Sequence, residues 1–192
     1  MKLRRLAALI LCFCLMPFTG VWAEAEENSL ILNFGGKGET DYRFMGEMET
    51  PEGYDRALYM LHEEGDSKEQ RFQFTAQDEN RAVQSVYVSG VARKTGAQML
   101  DTLRHFGFYY PLAEDRVLEI AGHPVRYMIA VGNPTVEKTQ IYSLMILLYV
   151  DVLEDSSVSF SFESAHGTIE ELPHEGEMLK DVEEFLSCFT AP

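Results

Sequence analysis

Two histidines and four glutamates fall within residues 166–177, HGTIEELPHEGE, and little else in the sequence looks like a site for chemistry. Imidazole and carboxylate groups can bind a metal ion or exchange protons, so this stretch could form a metal site or an acid–base site. The candidate metal ligands are His166, His174 and Glu170. The competing interpretation is that the stretch is only the acidic entry to a helix.

The spacing of these residues favours the helix entry. A zinc-binding helix carries His-Glu-x-x-His with its histidines one turn apart, whereas His166 and His174 are eight residues apart and Pro173 interrupts any helix between them. Thr168 and Glu171 have the spacing of a capping box, and a proline followed by glutamates suits the first turn of a helix. A metal site therefore depends on whether the two histidines converge in space.

No other pattern in the sequence predicts catalysis. There is no Gly-x-Ser-x-Gly nucleophile elbow. Cys188 is placed near the last turn of a terminal helix, where the negative end of the helix dipole disfavours a thiolate. The histidines at 62, 105 and 123 stand alone, and the paired carboxylates fall in predicted turns. We therefore predict no catalytic residue, no cofactor and no enzymatic activity.

An aromatic group, HFGFYYP at 105–111, follows the first predicted helix. Phe108, Tyr109 and Tyr110 could form a half-exposed patch that recognises a partner or lines a ligand pocket. The alternative is that the phenylalanines belong to the core and the tyrosines seal its edge.

The N-terminus has the three parts of a secretory signal peptide. A basic start precedes the apolar run 6–18, and small residues permit cleavage after Ala23 or after Ala25. A membrane-spanning helix needs roughly 20 apolar residues, so we predict no integral membrane span after cleavage, with an uncleaved anchor as the alternative. The predicted segments are a signal peptide at 1–23 and a leader with a possible first strand at 24–40, and the predicted location is periplasmic or extracellular.

Charge and cysteine content narrow the possible partners. The net charge of −15 becomes −18 when the signal peptide takes three basic and no acidic residues, leaving 13 basic against 31 acidic side chains. Such a chain repels nucleic acid and anionic lipid, which require a basic surface. The signal peptide also takes two of the three cysteines, so Cys188 is either buried or pairs with another molecule.

The remaining sequence predicts a single α+β domain at 41–192. Polar and apolar residues alternate in consecutive hairpins, as in RFQFTAQ at 71–77, which is typical of antiparallel strands. Two amphipathic segments predict helices, one mid-chain at about 96–106 and one C-terminal at about 175–189. Strands in hairpins with few helices favour an antiparallel sheet packed by helices.

The order of these elements resembles the PsbP-like fold superfamily, in particular its small bacterial secreted and lipoprotein members. The matching features are the TPEGY turn at 50–54, the Phe-rich hairpin 71–91, LEIAGHPVRYMIA at 118–130, the apolar strand 140–152 and the C-terminal helix. The resemblance implies an antiparallel sheet between helices and a binding or accessory role. It transfers no individual site residue to this chain.

These observations predict a secreted or periplasmic, non-catalytic binding protein whose partner is a protein or a component of the cell envelope. The alternative is a carrier of a small ligand or metal that uses either the 166–177 stretch or the 105–110 aromatic patch. The sequence leaves the oligomeric state and the identity of the partner open.

Overall fold

The computed structural model describes residues 29–34, 43–64, 67–91, 94–104, 109–132 and 141–192. The predicted signal peptide and the end of the predicted mid-chain helix at 105–106 lie outside these residues. None of the helices in the described ranges is long and apolar enough to cross a membrane.

Ten strands and two α-helices make up the described part of the chain. The strands are β1 (Ser29–Phe34), β2 (Arg43–Glu49), β3 (Tyr54–Glu64), β4 (Ser67–Ala76), β5 (Ser85–Val91), β6 (Tyr109–Ile120), β7 (His123–Gly132), β8 (Tyr142–Leu153), β9 (Ser156–His166) and β10 (Phe189–Thr190). The helices are α1 (Gly96–Arg104) and α2 (Glu175–Leu186), and a 3₁₀ turn covers Ile169–Glu171.

The strands form two antiparallel sheets. The larger has seven strands in the order β3-β4-β5-β9-β8-β7-β6, and the smaller has three in the order β1-β2-β10. The predicted consecutive hairpins are confirmed, since β4–β5, β6–β7 and β8–β9 are adjacent antiparallel pairs. The predicted α+β architecture, mainly sheet with one mid-chain and one C-terminal helix, is therefore confirmed.

The two α-helices pack on opposite faces of the seven-stranded sheet. Along β7 and β8 alternate side chains point to opposite faces of the sheet. Tyr127 and Ile146 belong to the buried cluster that includes α2. Met128 and Leu147 lie on the other face and pack with Leu100 of α1. The face under α2 contains most of the core. Buried Met178, Val182, Phe185 and Leu186 supply the helix side of that core.

The predicted C-terminal helix, 175–189, is too long at its end. Helix α2 stops at Leu186, and Phe189 lies in β10, where it pairs with Met48 of β2. The Phe189 ring is buried and lies 5.4 Å, centroid to centroid, from that of Phe160. Burial of this ring was predictable from its apolar type, but β10 forms because a distant strand offers an open edge.

Gly46 is the residue of β2 that makes room for β10. It has φ of +131°, and a Cβ at this position would lie 2.5 Å from the carbonyl oxygen of Thr190 and 2.7 Å from the Phe189 ring. Only glycine combines this backbone conformation with so close an approach. The small sheet therefore holds Phe189 and Thr190 against β2, shortly after α2 ends.

Candidate functional site

A cleft of about 690 Å³ opens where the start of α2 meets the end of β9 and the turn between β4 and β5. Its walls are the turn 79–82, the alternate residues Ser164 and His166 of β9, and the segment from Glu171 to Asp181. This volume lies within the usual range of ligand-binding pockets. The cleft brings together parts of the chain that are far apart in sequence.

Both histidines of the 166–177 stretch line this cleft, whereas the exposed Glu170 does not. The Nε2 atom of His166 lies 2.9 Å from the hydroxyl oxygen of Ser164. Within the described ranges, no three His, Cys, Asp or Glu side chains are grouped so that they could hold a metal ion. The histidines therefore share a site, but the described residues do not complete a metal centre around them.

The glutamates of the same stretch stabilise the 3₁₀ turn and the start of α2, and the capping box of Thr168 and Glu171 is confirmed. The carboxylate of Glu171 accepts a hydrogen bond from the backbone N–H of Thr168 at 3.2 Å, and that of Glu177 accepts one from the N–H of His174 at 2.9 Å. Glu175 and Glu177 lie in the first turn of α2, where the helix dipole favours negative charge. These carboxylates stabilise the local backbone of one cleft wall.

Arg81 holds the opposite wall against α2. Its guanidinium Nη2 lies 2.7 Å from a carboxylate oxygen of Glu184, and its Nε lies 3.8 Å from Asp181. Nη1 donates a hydrogen bond to the carbonyl oxygen of Glu52 at 3.0 Å, and the guanidinium carbon lies 4.7 Å from the centroid of the Tyr54 ring. One half-buried cation therefore joins two turns, a strand and the helix.

Asp181 connects the same wall to the core. Its carboxylate accepts a hydrogen bond from the backbone N–H of Val83 at 3.0 Å, and the carbonyl of Val83 accepts one from the Tyr54 hydroxyl at 3.1 Å. Burial raises the pKa of Tyr54 to about 12, although the positive charge of Arg81 opposes the rise. The cleft wall is thus continuous with buried, hydrogen-bonded structure.

The turn 79–82 is also held in shape by its own side chains. Asp78 accepts hydrogen bonds at 2.9 Å from both the backbone N–H and the side-chain amide of Asn80, and these bonds lower the pKa of the Asp78 carboxyl. The side chain of Gln84 accepts a hydrogen bond from the N–H of Ala165 at 3.1 Å and donates one to the carbonyl of Glu79 at 3.4 Å. The turn is therefore fixed relative to the end of β9.

Negative charge dominates the surface around the cleft. The cleft lining contains the carboxylates of Glu79, Glu171, Glu177 and Asp181 against the cations of Arg81 and Lys180. Residues 166–187, which run from the end of β9 through α2, contain seven acidic residues and one lysine. This surface attracts cationic groups and repels anionic ones.

The other residues suggested by the sequence lie elsewhere. Phe108 is outside the described residues, and Tyr109 and Tyr110 open β6, where their backbones pair with those of Gly132 and Val131. The aromatic patch therefore stays a prediction. Cys188 is a half-buried free thiol beside a smaller cleft of about 320 Å³ that does not adjoin the histidines.

Two contributors to the site, Ser164 and Arg81, carry no signal in the sequence. Ser164 looks like any other polar residue in an alternating strand, and Arg81 looks like an ordinary turn residue. Arg81 acquires its role from Asp181 and Glu184, which are distant in sequence, whereas Ser164 contacts the nearby His166 and lies at the cleft because α2 packs over this part of β9. Their placement could be recognised only after the strand order and the position of α2 were known.

No protein-family model matches this chain, and no curated protein matches it either. Its function is therefore inferred from the geometry of its own residues. The likeness to the PsbP-like superfamily stays a prediction based on the order of elements.

Proposed function

We propose that this chain is an exported, non-catalytic binding protein that holds its partner in the cleft between α2, the end of β9 and the turn 79–82. The partner is a protein or another component of the cell envelope. The observation that carries the proposal is that the cleft is pre-formed, because both of its walls are joined to the core by ion pairs and hydrogen bonds. A pre-formed site loses less free energy to ordering when it binds.

The cleft lining suits a polar partner group. Carboxylates, imidazoles and the ammonium group of Lys180 lie beside smaller apolar surfaces supplied by Ala82, Leu172 and Pro173. Within the described part of the chain, Glu79 and Lys180 have no side-chain ion pair or hydrogen bond, so both can engage a bound group. The predicted export signal and the acidic surface support a partner outside the cytoplasm that is neither nucleic acid nor anionic lipid.

A catalytic role has weaker support from the same geometry. The contact between Ser164 and His166 has the distance of a nucleophile–base pair. However, Ser164 is 0% exposed, so its hydroxyl cannot reach a substrate without movement of β9 or α2. We interpret this contact as the hydrogen bond that a buried serine requires.

A metal carrier also has weaker support. Glu171 and Glu177 are already engaged by backbone N–H groups, and Asp181 is engaged by Val83 and Arg81. A metal ion would have to compete with these bonds for its carboxylate ligands. Among the described residues, no third His, Cys, Asp or Glu side chain is grouped with the two histidines so that it could complete such a site.

Site-specific photo-crosslinking tests the proposal. The full-length chain is produced in its native cells with a photo-reactive amino acid at the position of Lys180, or at Glu154 as a matched control. Glu154 is exposed in the β8–β9 turn, at the end of the sheet opposite the pairing of Tyr142 with His166. We expect a discrete adduct from position 180 only, and its loss when excess unmodified chain is added. Equal crosslinking from both positions, or none from position 180, would contradict the proposal.

A further inference from the structure

We infer that the group held in the cleft is an extended, basic peptide segment of a partner protein, with an apolar residue next to its lysine or arginine. This inference rests on the proposed binding function and specifies the chemistry of the partner. Three features of the described residues carry it: the charge of the cleft, the exposed isoleucine beside it, and the size of the cleft.

The charge of the cleft selects a cation. Arg81 is neutralised within the chain by Asp181 and Glu184, so its charge is not available to attract an anionic ligand. Lys180 is the remaining cation of the lining, and it is surrounded in sequence by the acidic residues of α2. Charge complementarity of this kind accelerates the association of a basic segment and rejects acidic partners.

An exposed isoleucine distinguishes a peptide from a free amine or a metal ion. Ile169 is 56% exposed, one residue after Thr168 and two before the cleft residue Glu171. A small cation would leave Ile169 in water, whereas an apolar side chain of a peptide can cover it.

The size of the cleft fits a short extended segment. A volume of about 690 Å³ accommodates a few side chains but not a folded domain. An extended chain advances roughly 3.3 Å per residue, so neighbouring residues of one segment can reach both the cleft and its apolar surroundings. The occupant that satisfies charge, apolar contact and size together is a segment in which basic and apolar residues are adjacent.

Fluorescence anisotropy with a labelled six-residue peptide of alternating lysine and leucine tests this inference on the signal-cleaved protein as secreted. The comparison probes are the peptide with glutamate in place of lysine, the peptide with serine in place of leucine, spermine and calcium chloride. We expect the lysine–leucine peptide to bind most tightly, with an affinity that falls as salt is added because the Debye length shortens. The glutamate peptide is expected not to bind.

Substitutions that remove either a negative or a positive charge from the cleft test the role of charge in peptide binding. Glu79→Gln should weaken binding of the lysine–leucine peptide about two- to five-fold, and Lys180→Gln should strengthen it by a similar factor, since exposed charge pairs contribute about 0.2–1 kcal/mol. Ile169→Ser should weaken binding of the lysine–leucine peptide but not of the lysine–serine peptide. Glu154→Gln removes one charge at the far end of the sheet and should leave the affinity unchanged. All four positions are exposed, so folding should be retained.

Spermine or calcium binding as tightly as the lysine–leucine peptide would replace the peptide segment by a free cation and overturn the inference. Equal affinity for the glutamate peptide and the lysine–leucine peptide would also overturn the inference. If no probe binds while crosslinking at position 180 persists, the peptide inference fails and the proposed function survives. If both experiments are negative, both proposals fail.

Discussion

Phe185→Ala is expected to lower the free energy of unfolding by about 3–5 kcal/mol, which is a large part of the stability of an ordinary domain. Phe185 is fully buried on α2. Its ring lies 5.4 Å from that of Tyr54, 5.1 Å from that of Phe74 and 5.4 Å from that of Phe162, in each case edge to face. Removing the ring creates a cavity and ends all of these contacts at once.

The Phe185→Ala substitution should also destabilise the cleft, because α2 forms one of its walls. Phe44→Ala is the matched control, since Phe44 is 42% exposed on β2 and its removal opens no cavity. Urea unfolding followed by circular dichroism measures both variants. A cost for Phe185→Ala no larger than that for Phe44→Ala would show that α2 is not anchored by the aromatic cluster.

Arg81→Met is expected to cost about 2–3 kcal/mol and to abolish binding at the cleft. The substitution keeps an apolar stem of similar length but removes the cation. Asp181, whose side chain is only 13% exposed, and Glu184 would then lack their positive partner. The carbonyl of Glu52 would lose a donor, so the turn 79–82 would no longer be held against α2.

Arg116→Met is the control for this prediction. Arg116 also forms an ion pair with a residue of α2, Glu175, but both side chains are more than one third exposed. Exposed pairs contribute less than about 1 kcal/mol, and the remaining contact of Arg116 is with the side chain of Tyr127, so this variant should cost clearly less than Arg81→Met. Equal costs for the two arginines would contradict the structural role given to Arg81.

Local periodicity was sufficient to predict the faces of most elements. The alternation of Phe72 and Phe74 in β4, and the stripe of Met178, Val182 and Phe185 in α2, are buried as their spacing indicates. Periodicity determines which face of an element is apolar, but not which element it meets. It could not predict that β9 pairs with β5 as well as with β8. The strands β5 and β9 are far apart in sequence, so their pairing depends on the tertiary fold and not on a local turn.

The same limit applies to the candidate site. His166 and His174 were identifiable by residue type, and the capping role of Glu171 by its spacing from Thr168, whereas the capping role of Glu177 was not predicted. The cleft itself was not predictable, because its other wall comes from the turn 79–82 through Arg81 and Gln84. The contact of Gly46 with Phe189 was also not predictable from the sequence. Phe189 was assigned to the C-terminal helix, but it lies in β10 and pairs with Met48 of β2.

The most direct test of the cleft as the binding site is the NMR signal of three histidine rings, those of His123, His166 and His174. His166 and His174 line the cleft, while the Nε2 atom of His123 lies 3.0 Å from the carbonyl oxygen of Phe189, away from it. Addition of the lysine–leucine peptide is predicted to shift the ring signals of His166 and His174 together and to leave that of His123 unchanged. An equal shift at His123, or unchanged signals at both cleft histidines when the peptide is bound, would contradict the assignment of the cleft as the binding site.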